Sequence, residues 1–257
     1  MPLERGSRRS GVGRRRGIAA EHRSGGTPSA LPPAQGSVGE LTYRRVRSDI
    51  VFGRLTPGRK LTLDRMRDAY GTSVSTLREL FSRLTSEGLL VAEGSRGFEV
   101  APVSVADLHD VASMRLLLES RGIEQSFARG DLHWEGQVVA AYHVLARAES
   151  KLADGERYSV ETWREYDWAF HRALIGACGS RLLLETYASI CDKYLRYLTI
   201  AAVFRGQLAA DEHRVLLESA LARDVARAQS TLATHIQACV AQMTTVLDAR
   251  ARKLAKS

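Results

Sequence analysis

The sequence predicts a mainly α protein in two parts: a small helix-rich domain closed by a β-hairpin, then an all-α bundle of six helices. Three observations predict it. Apolar residues recur at helical spacing on both sides of the hairpin, punctuated by Gly, Pro and Asp. Two short apolar runs, Leu89–Ala92 and Phe98–Ala101, flank the turn Glu93-Gly94-Ser95-Arg96-Gly97. The charge is uneven along the chain. Of the net +8, residues 1–39 contribute seven Arg against two acids, residues 40–102 eleven basic groups against eight acidic, and residues 103–257 nineteen of each. All the excess positive charge therefore precedes residue 103, the pattern of a polyanion-binding part joined to a neutral one.

Residues 1–39 hold four of the six prolines and eight of the 21 glycines without apolar periodicity, and read as a disordered basic arm. Its Arg8-Arg9 and Arg14-Arg15-Arg16 precede no hydrophobic segment, so an export signal is not expected. Residues 40–102 form the first domain. Leu41, Val46, Ile50 and Val51 make one amphipathic helix stopped by Gly53, and Thr56-Pro57-Gly58 is a turn. Leu63, Met66 and Ala69-Tyr70 make a second helix stopped by Gly71. A third begins at Ser73 or Ser75, carries Leu77, Leu80, Phe81 and Leu84 on one face, and ends at Gly88. With the hairpin, this is the element order of a winged helix-turn-helix. Residues 103–257 form the second domain, with helices near 104–128, 131–154, 158–178, 180–205, 208–222 and 223–251.

The composition excludes several classes. No run of 18 apolar residues exists, so no membrane span is expected. Cys178, Cys191 and Cys239 are far apart with no CxxC, which argues against a disulfide scaffold or thiolate zinc finger and fits a reducing cytoplasm.

In a helix-turn-helix the outward face of the last helix meets the DNA major groove. Here that face carries Ser75, Arg78, Glu79 and Ser82. Arg78 has the forked donors that match guanine or phosphate. Ser73, Ser75 and Thr76 sit at the helix N-terminus, where phosphates are favoured. Arg96 and Gly97 lie at the hairpin tip, within reach of a minor groove. The stretch from Leu41 to Pro102 resembles the winged helix of GntR-family transcriptional regulators. The resemblance rests on Ile50-x-x-Gly53-x-Leu55-x-Pro57-Gly58-x-x-Leu61, Gly71-x-Ser73, Leu77-Arg78-Glu79-x-x-x-Arg83-Leu84-x-x-Glu87-Gly88-Leu89, Arg96-Gly97 and Val100-Ala101-Pro102. Val74 stands where that family usually has arginine, so the resemblance implies an operator but not its usual sequence.

In the second domain His171, His213 and His235 fall on apolar faces of three different helices, and Asp167 precedes His171 by one helical turn. Three imidazoles and a carboxylate suit zinc, nickel or a similar divalent ion. A lone histidine in such a setting is ordinarily a hydrogen-bonded core residue; three are harder to explain that way. Arg115 sits on a stripe that should be buried and needs an anionic partner, either Glu119 or Asp167 internally or the carboxylate of a ligand. Residues 104–250 resemble the FCD effector domain of the FadR subfamily. The resemblance rests on Arg115-Leu116-x-x-Glu119, Asp167-x-x-Phe170-His171-x-x-Leu174, Glu212-His213 and His235-Ile236. It implies a metal held by Asp167, His171, His213 and His235, a homodimer on an inverted-repeat DNA operator, and a small organic acid as effector. The expected function is a cytoplasmic DNA-binding regulator switched by that acid. The alternatives are a metal-responsive regulator, or a helical metalloenzyme, for which the chain offers neither an HExxH motif nor an evident general base.

Overall fold

The structure, a computed structural model, describes residues 37–94, 97–156, 158–201 and 205–254. The arm residues 1–36 and Arg96 lie outside the described residues.

The first helix, α1 (Val38–Val51), takes in Val38 and Gly39, which the sequence reading assigns to the disordered arm. The reason is local: Ser37 is the N-cap, its side chain accepts from Glu40 N at 3.2 Å, and Ser37-x-x-Glu40 has the spacing of a capping box. α2 (Leu63–Tyr70) ends on Gly71 in the left-handed conformation. α3 (Val74–Ser86) is capped by Ser73, whose hydroxyl accepts from Thr76 N at 3.1 Å. The hairpin strands β2 (Leu90–Ala92) and β3 (Phe98–Val100) pair antiparallel with Val91 opposite Glu99. A further strand, β1 (Lys60–Leu61), joins the other edge of β3, giving the order β1-β3-β2. Val46, Ile50, Leu77, Phe81, Leu84, Leu89 and Val100 fill the core of this domain.

Six helices follow: α4 (Val105–Arg129), α5 (Leu132–Ala153), α6 (Val160–Leu174), α7 (Arg181–Ile200), α8 (Gln207–Ala222) and α9 (Val225–Leu254). α6 and α7 stop a few residues short of the sequence boundaries, and the predicted break at Arg223-Asp224 is real. Arg223 caps α8 in the left-handed region, an unusual place for a side-chain-bearing residue. Its guanidinium donates to Gly130 O at 2.8 Å and lies 4.5 Å from the Trp134 ring centre, contacts that hold it there. Phe170, Tyr187, Tyr194, Leu216, Leu232 and Met243 are among the buried residues of the bundle. Among the described residues no helix is long and apolar enough to cross a membrane.

The two cores meet through α1 and α7. Val51 of α1 packs into the bundle core. Arg47 pairs with Asp192, and Arg54 with Glu161 at 2.8 Å. On the covalent crossing between the domains, Arg196 donates to Ala101 O. Tyr197 OH donates to Asp107 Oδ2 and accepts from Ser104 N at 3.3 Å.

Burial raises the Asp192 carboxyl to about 6, against the pull of Arg47. An acid held above its ordinary value favours the folded state below about pH 4 and loses that contribution as pH rises through about 6. Asp192→Asn should therefore flatten the pH dependence of stability between pH 4 and 6.5, measured as the urea midpoint. An identical slope in wild type and variant would remove Asp192 from the pH response.

Candidate functional site

The outward face of α3 is as the apolar spacing requires. Leu77, Leu80, Phe81 and Leu84 are buried, while Ser75, Arg78, Glu79 and Ser82 are exposed. Arg78 has no ion-pair partner among the described residues. Ser73 Oγ lies 2.8 Å from Ser75 Oγ and 2.9 Å from Thr76 Oγ1, so the three hydroxyls form one cluster at the helix N-terminus. Gly97 has φ +106 and its carbonyl accepts from Glu93 N at 2.9 Å, closing the hairpin. A side chain there would meet Leu61 O at 3.2 Å, a second reason for glycine. Arg59 beside β1 and Arg65 on α2 are exposed cations without an ion-pair partner among the described residues, and helical spacing did not single them out. Arg83 pairs with Glu40 and Glu87 and lies 3.6 Å from the Tyr43 ring centre, which ties α3 to α1.

Inside the bundle, Asp167 and His171 of α6, His213 of α8 and His235 of α9 converge. All four are buried, and one potential ligand atom from each lies within 4.8 Å of the others. Each imidazole is held from behind by a carboxylate. His171 Nδ1 meets Glu119 Oε1 at 2.5 Å, His213 Nδ1 meets Glu149 Oε1 at 2.7 Å, and His235 Nδ1 meets Glu212 Oε2 at 2.7 Å. A carboxylate only accepts, so each Nδ1 carries a proton and each ring turns its Nε2 forward. His171 Nε2 and His213 Nε2 are buried and have no hydrogen-bond partner. His213 Nε2 lies 3.1 Å from Asp167 Oδ1 without the alignment of a hydrogen bond.

Electrostatics follows from this crowding. Burial opposes charge on Asp167, yet the neighbouring imidazoles hold its carboxyl well below the usual range. Burial opposes protonation of the rings as well. The Asp167 and Glu149 carboxylates overcome it at His213, raised to about 9, while burial and the other two rings lower His235 to about 4. Three Nε2 atoms and a carboxylate facing one point, with each ring backed by a second carboxylate, form a donor set that accepts a divalent cation once His213 gives up its extra proton.

Arg115 has an internal partner. It is 4 % exposed, and its Nε donates to Glu119 Oε2 at 3.1 Å. Its guanidinium lies 4.7 Å from the Tyr194 ring centre. Glu119 also accepts from Tyr187 OH at 2.8 Å. The Nη groups of Arg115 make no hydrogen bond among the described residues, so one edge of the fork is open. Arg115, Asp167, Arg205, His213, His235 and Cys239 border a cavity of about 20 Å³. Helical spacing missed Glu149 and Arg205. Glu149 was findable, because it continues the stripe Val138, Tyr142, Leu145 as a charge on an apolar face. Arg205 lies between helices, where spacing says nothing; it pairs with both oxygens of Glu212 at 2.7 Å.

Residues 39–100 match the family described as bacterial regulatory proteins, gntR family, and residues 110–238 match the FCD domain. The HTH-type transcriptional regulator BphR of Paraburkholderia xenovorans is 34% identical over 203 residues, covering 78% of this chain and 83% of its own. The HTH-type transcriptional repressor GlaR of Escherichia coli is 31% identical over 200 residues, covering 76% of this chain and 90% of its own. The solved structure of McbR/YncC from E. coli superposes with a TM-score of 0.70 at 18% identity, covering 82% of this chain and 99% of its own, a likeness of fold. An exposed recognition helix, a bundle with a polar centre and these two domain matches in order make the chain a member of the GntR family with an FCD domain, a DNA-binding transcriptional regulator and not an enzyme.

Proposed function

We propose that operator affinity is controlled by a small carboxylate that binds beside a divalent metal in the FCD domain, with the chain acting as a cytoplasmic homodimer. The single observation that carries the metal is the pair of buried, unpartnered Nε2 atoms on His171 and His213, aimed with His235 at Asp167. Zinc, nickel or a similar ion would be held by Asp167, His171, His213 and His235. It would supply positive charge and open positions for oxygen donors. Arg115 would offer the free edge of its guanidinium to the acid. The cavity of about 20 Å³ has room for about one water, so an acid enters only by displacing packed groups. That small volume favours a second reading, in which metal loading is itself the signal. An open groove of about 460 Å³ between α4 and α9, with Ala112, Leu116, Ile236 and Val240 on its walls, suits a second copy of the chain.

On DNA, the dimer would read an inverted repeat through Arg78, with Ser73, Ser75 and Thr76 on phosphates and Arg96 and Gly97 at the wing. Arg78→Ala should weaken operator binding by about 1–3 kcal/mol if it reads a base edge. Unchanged affinity in a gel-shift titration would remove it from the contact list.

For the metal, elemental analysis should find about one ion per chain, and His213→Ala should abolish loading. Glu149→Gln keeps the four ligands but loses the carboxylate behind His213, and should weaken metal affinity about 10–100-fold. Metal-free protein with no thermal shift on adding zinc, nickel or manganese would leave the histidines as core residues.

For the effector, hydroxy, keto, sugar and dicarboxylic acids would be screened by thermal shift and operator release. Arg115→Lys keeps a cation against Glu119 but loses the fork, and should respond at least about tenfold less well while retaining metal. A normal response would make Arg115 purely structural. Operator release by metal alone, with no acid effective, would select the metal-sensing reading.

A further inference from the structure

A second cavity, of about 250 Å³, lies where the winged helix meets the bundle. Gly88, Ala101, Pro102, Val103, Ser104, Asp107, Lys193 and Arg196 line it, and none of them belongs to the metal or DNA sites. Its charges do not balance. Arg196 is 4 % exposed, and its described hydrogen bond is to a neutral acceptor, Ala101 O; its Nε is buried without a partner. Desolvation lowers the pKa of this guanidinium, the mark of a buried cation short of counter-charge. Lys193 is half-buried and pairs with no carboxylate among the described residues; its Nζ rests over Gly88.

The acid of the cavity is Asp107, which accepts from Tyr197 OH. Nearby, Asp192 is paired with Arg47, and Glu87 holds Arg83 and Tyr43. Two helix ends also face the region. The α3 C-terminus beneath Lys193 contributes partial negative charge, and the first turn of α4, entering through Ser104 and Asp107, contributes partial positive charge of similar size. These two offset each other. Two cations against one carboxylate leave the cavity with one uncompensated positive charge.

We infer that this junction cavity binds a small phosphate anion, held by Lys193 and Arg196. A point-charge ammonium beside a guanidinium is a phosphate-binding combination. The volume accommodates a phosphate group with several waters, each taking about 30 Å³. A DNA phosphate is excluded by position. The cavity touches the C-terminal end of α3, whereas the operator meets its N-terminal end, about 20 Å away along a helix of this length. The anion would lie against Ala101–Ser104, the chain crossing between the domains, so its presence would bear on their relative angle.

The test uses the full-length protein. Sodium phosphate is titrated against sodium chloride at matched ionic strength and pH, read by melting temperature and calorimetry. Phosphate should raise the melting temperature saturably, because it binds the folded state. Lys193→Met should weaken phosphate binding about tenfold, with an unchanged melting temperature in chloride, and Lys193→Arg should restore it. Arg196→Lys is a second variant, since complete loss of that cation would disturb the Ala101 contact. Glycerol phosphate run beside inorganic phosphate identifies the source: tighter binding of the ester assigns an esterified ligand, the reverse a free ion. In gel shifts, phosphate should change operator affinity in wild type and not in Lys193→Met. A Lys193→Met protein that titrates like wild type would place the phosphate elsewhere, on the metal or the DNA face, and would overturn the inference. No saturable response in wild type would do the same.

Discussion

The bundle is organised around the burial of charge. An apolar interior tolerates an ionised group only if it is paired and hydrogen-bonded, because desolvation otherwise exceeds what packing returns. Here all six helices of the second domain contribute to one polar network. α4 gives Arg115 and Glu119, α5 Glu149, α6 Asp167 and His171, α7 Tyr187 and Tyr194, α8 Glu212 and His213, and α9 His235. Glu119 is the hub. It accepts from Arg115, His171 and Tyr187 while fully buried, and against that burial His171 and Arg115 bring its carboxyl down to about 2. A buried network that ties three helices through Glu119 specifies one relative placement of them, where leucine packing alone would accept several.

The same helices face the first domain. α7 presents Tyr187, Cys191 and Tyr194 to the network, and Asp192, Arg196 and Tyr197 to the junction. α6 carries Asp167 and, one turn earlier, Arg164, whose Nη2 donates to Leu198 O at 2.8 Å and so caps the end of α7. One turn earlier again, Glu161 meets Arg54. Two adjacent rigid elements therefore span the distance from the buried cluster to the winged helix, with no loop between. On the proposed function, a displacement at the cluster would reach the winged helix through these two elements.

Much of this was legible in the sequence, and the failures have physical reasons. Stripes of Leu and Phe located α3 and its outward face, since burial and helical period act on every residue of a long element. Gly53, Gly71 and Gly88 marked helix ends because each adopts a positive φ. The strand Lys60–Leu61 is too short to carry a period, and β3 recruits it through backbone pairing alone. The convergence of Asp167, His171, His213 and His235 was readable as polar residues on apolar faces. Their carboxylate partners were less so: Glu149 follows the same logic, whereas Arg205 and the Arg47–Asp192 pair depend on how helices dock. Arg115 illustrates the limit. Its burial follows from its stripe, but spacing does not say which partner it meets; the structure gives Glu119 to its Nε.

Magnitudes indicate how such a molecule can switch. The Arg54–Glu161 pair is exposed on both sides, and pairs of that kind contribute about 0–1 kcal/mol. The junction therefore rests on the more buried Arg47–Asp192 pair, the Arg196 and Tyr197 hydrogen bonds and the insertion of Val51. Site-to-site coupling energies are typically about 1–3 kcal/mol, the scale of one or two such contacts. The bundle interior is much stiffer, because breaking a buried pair costs about 3–5 kcal/mol. An effector larger than a water, if bound in the cavity of about 20 Å³ as proposed, would meet this difference in compliance. On the proposed function, the polar network would resist rearrangement and the junction would yield first, so that strain at the cluster would be relieved by movement of α6 and α7 against the winged helix. Because a recognition helix meets its half-site in one orientation, a small rotation of α3 would be enough to change the binding of DNA.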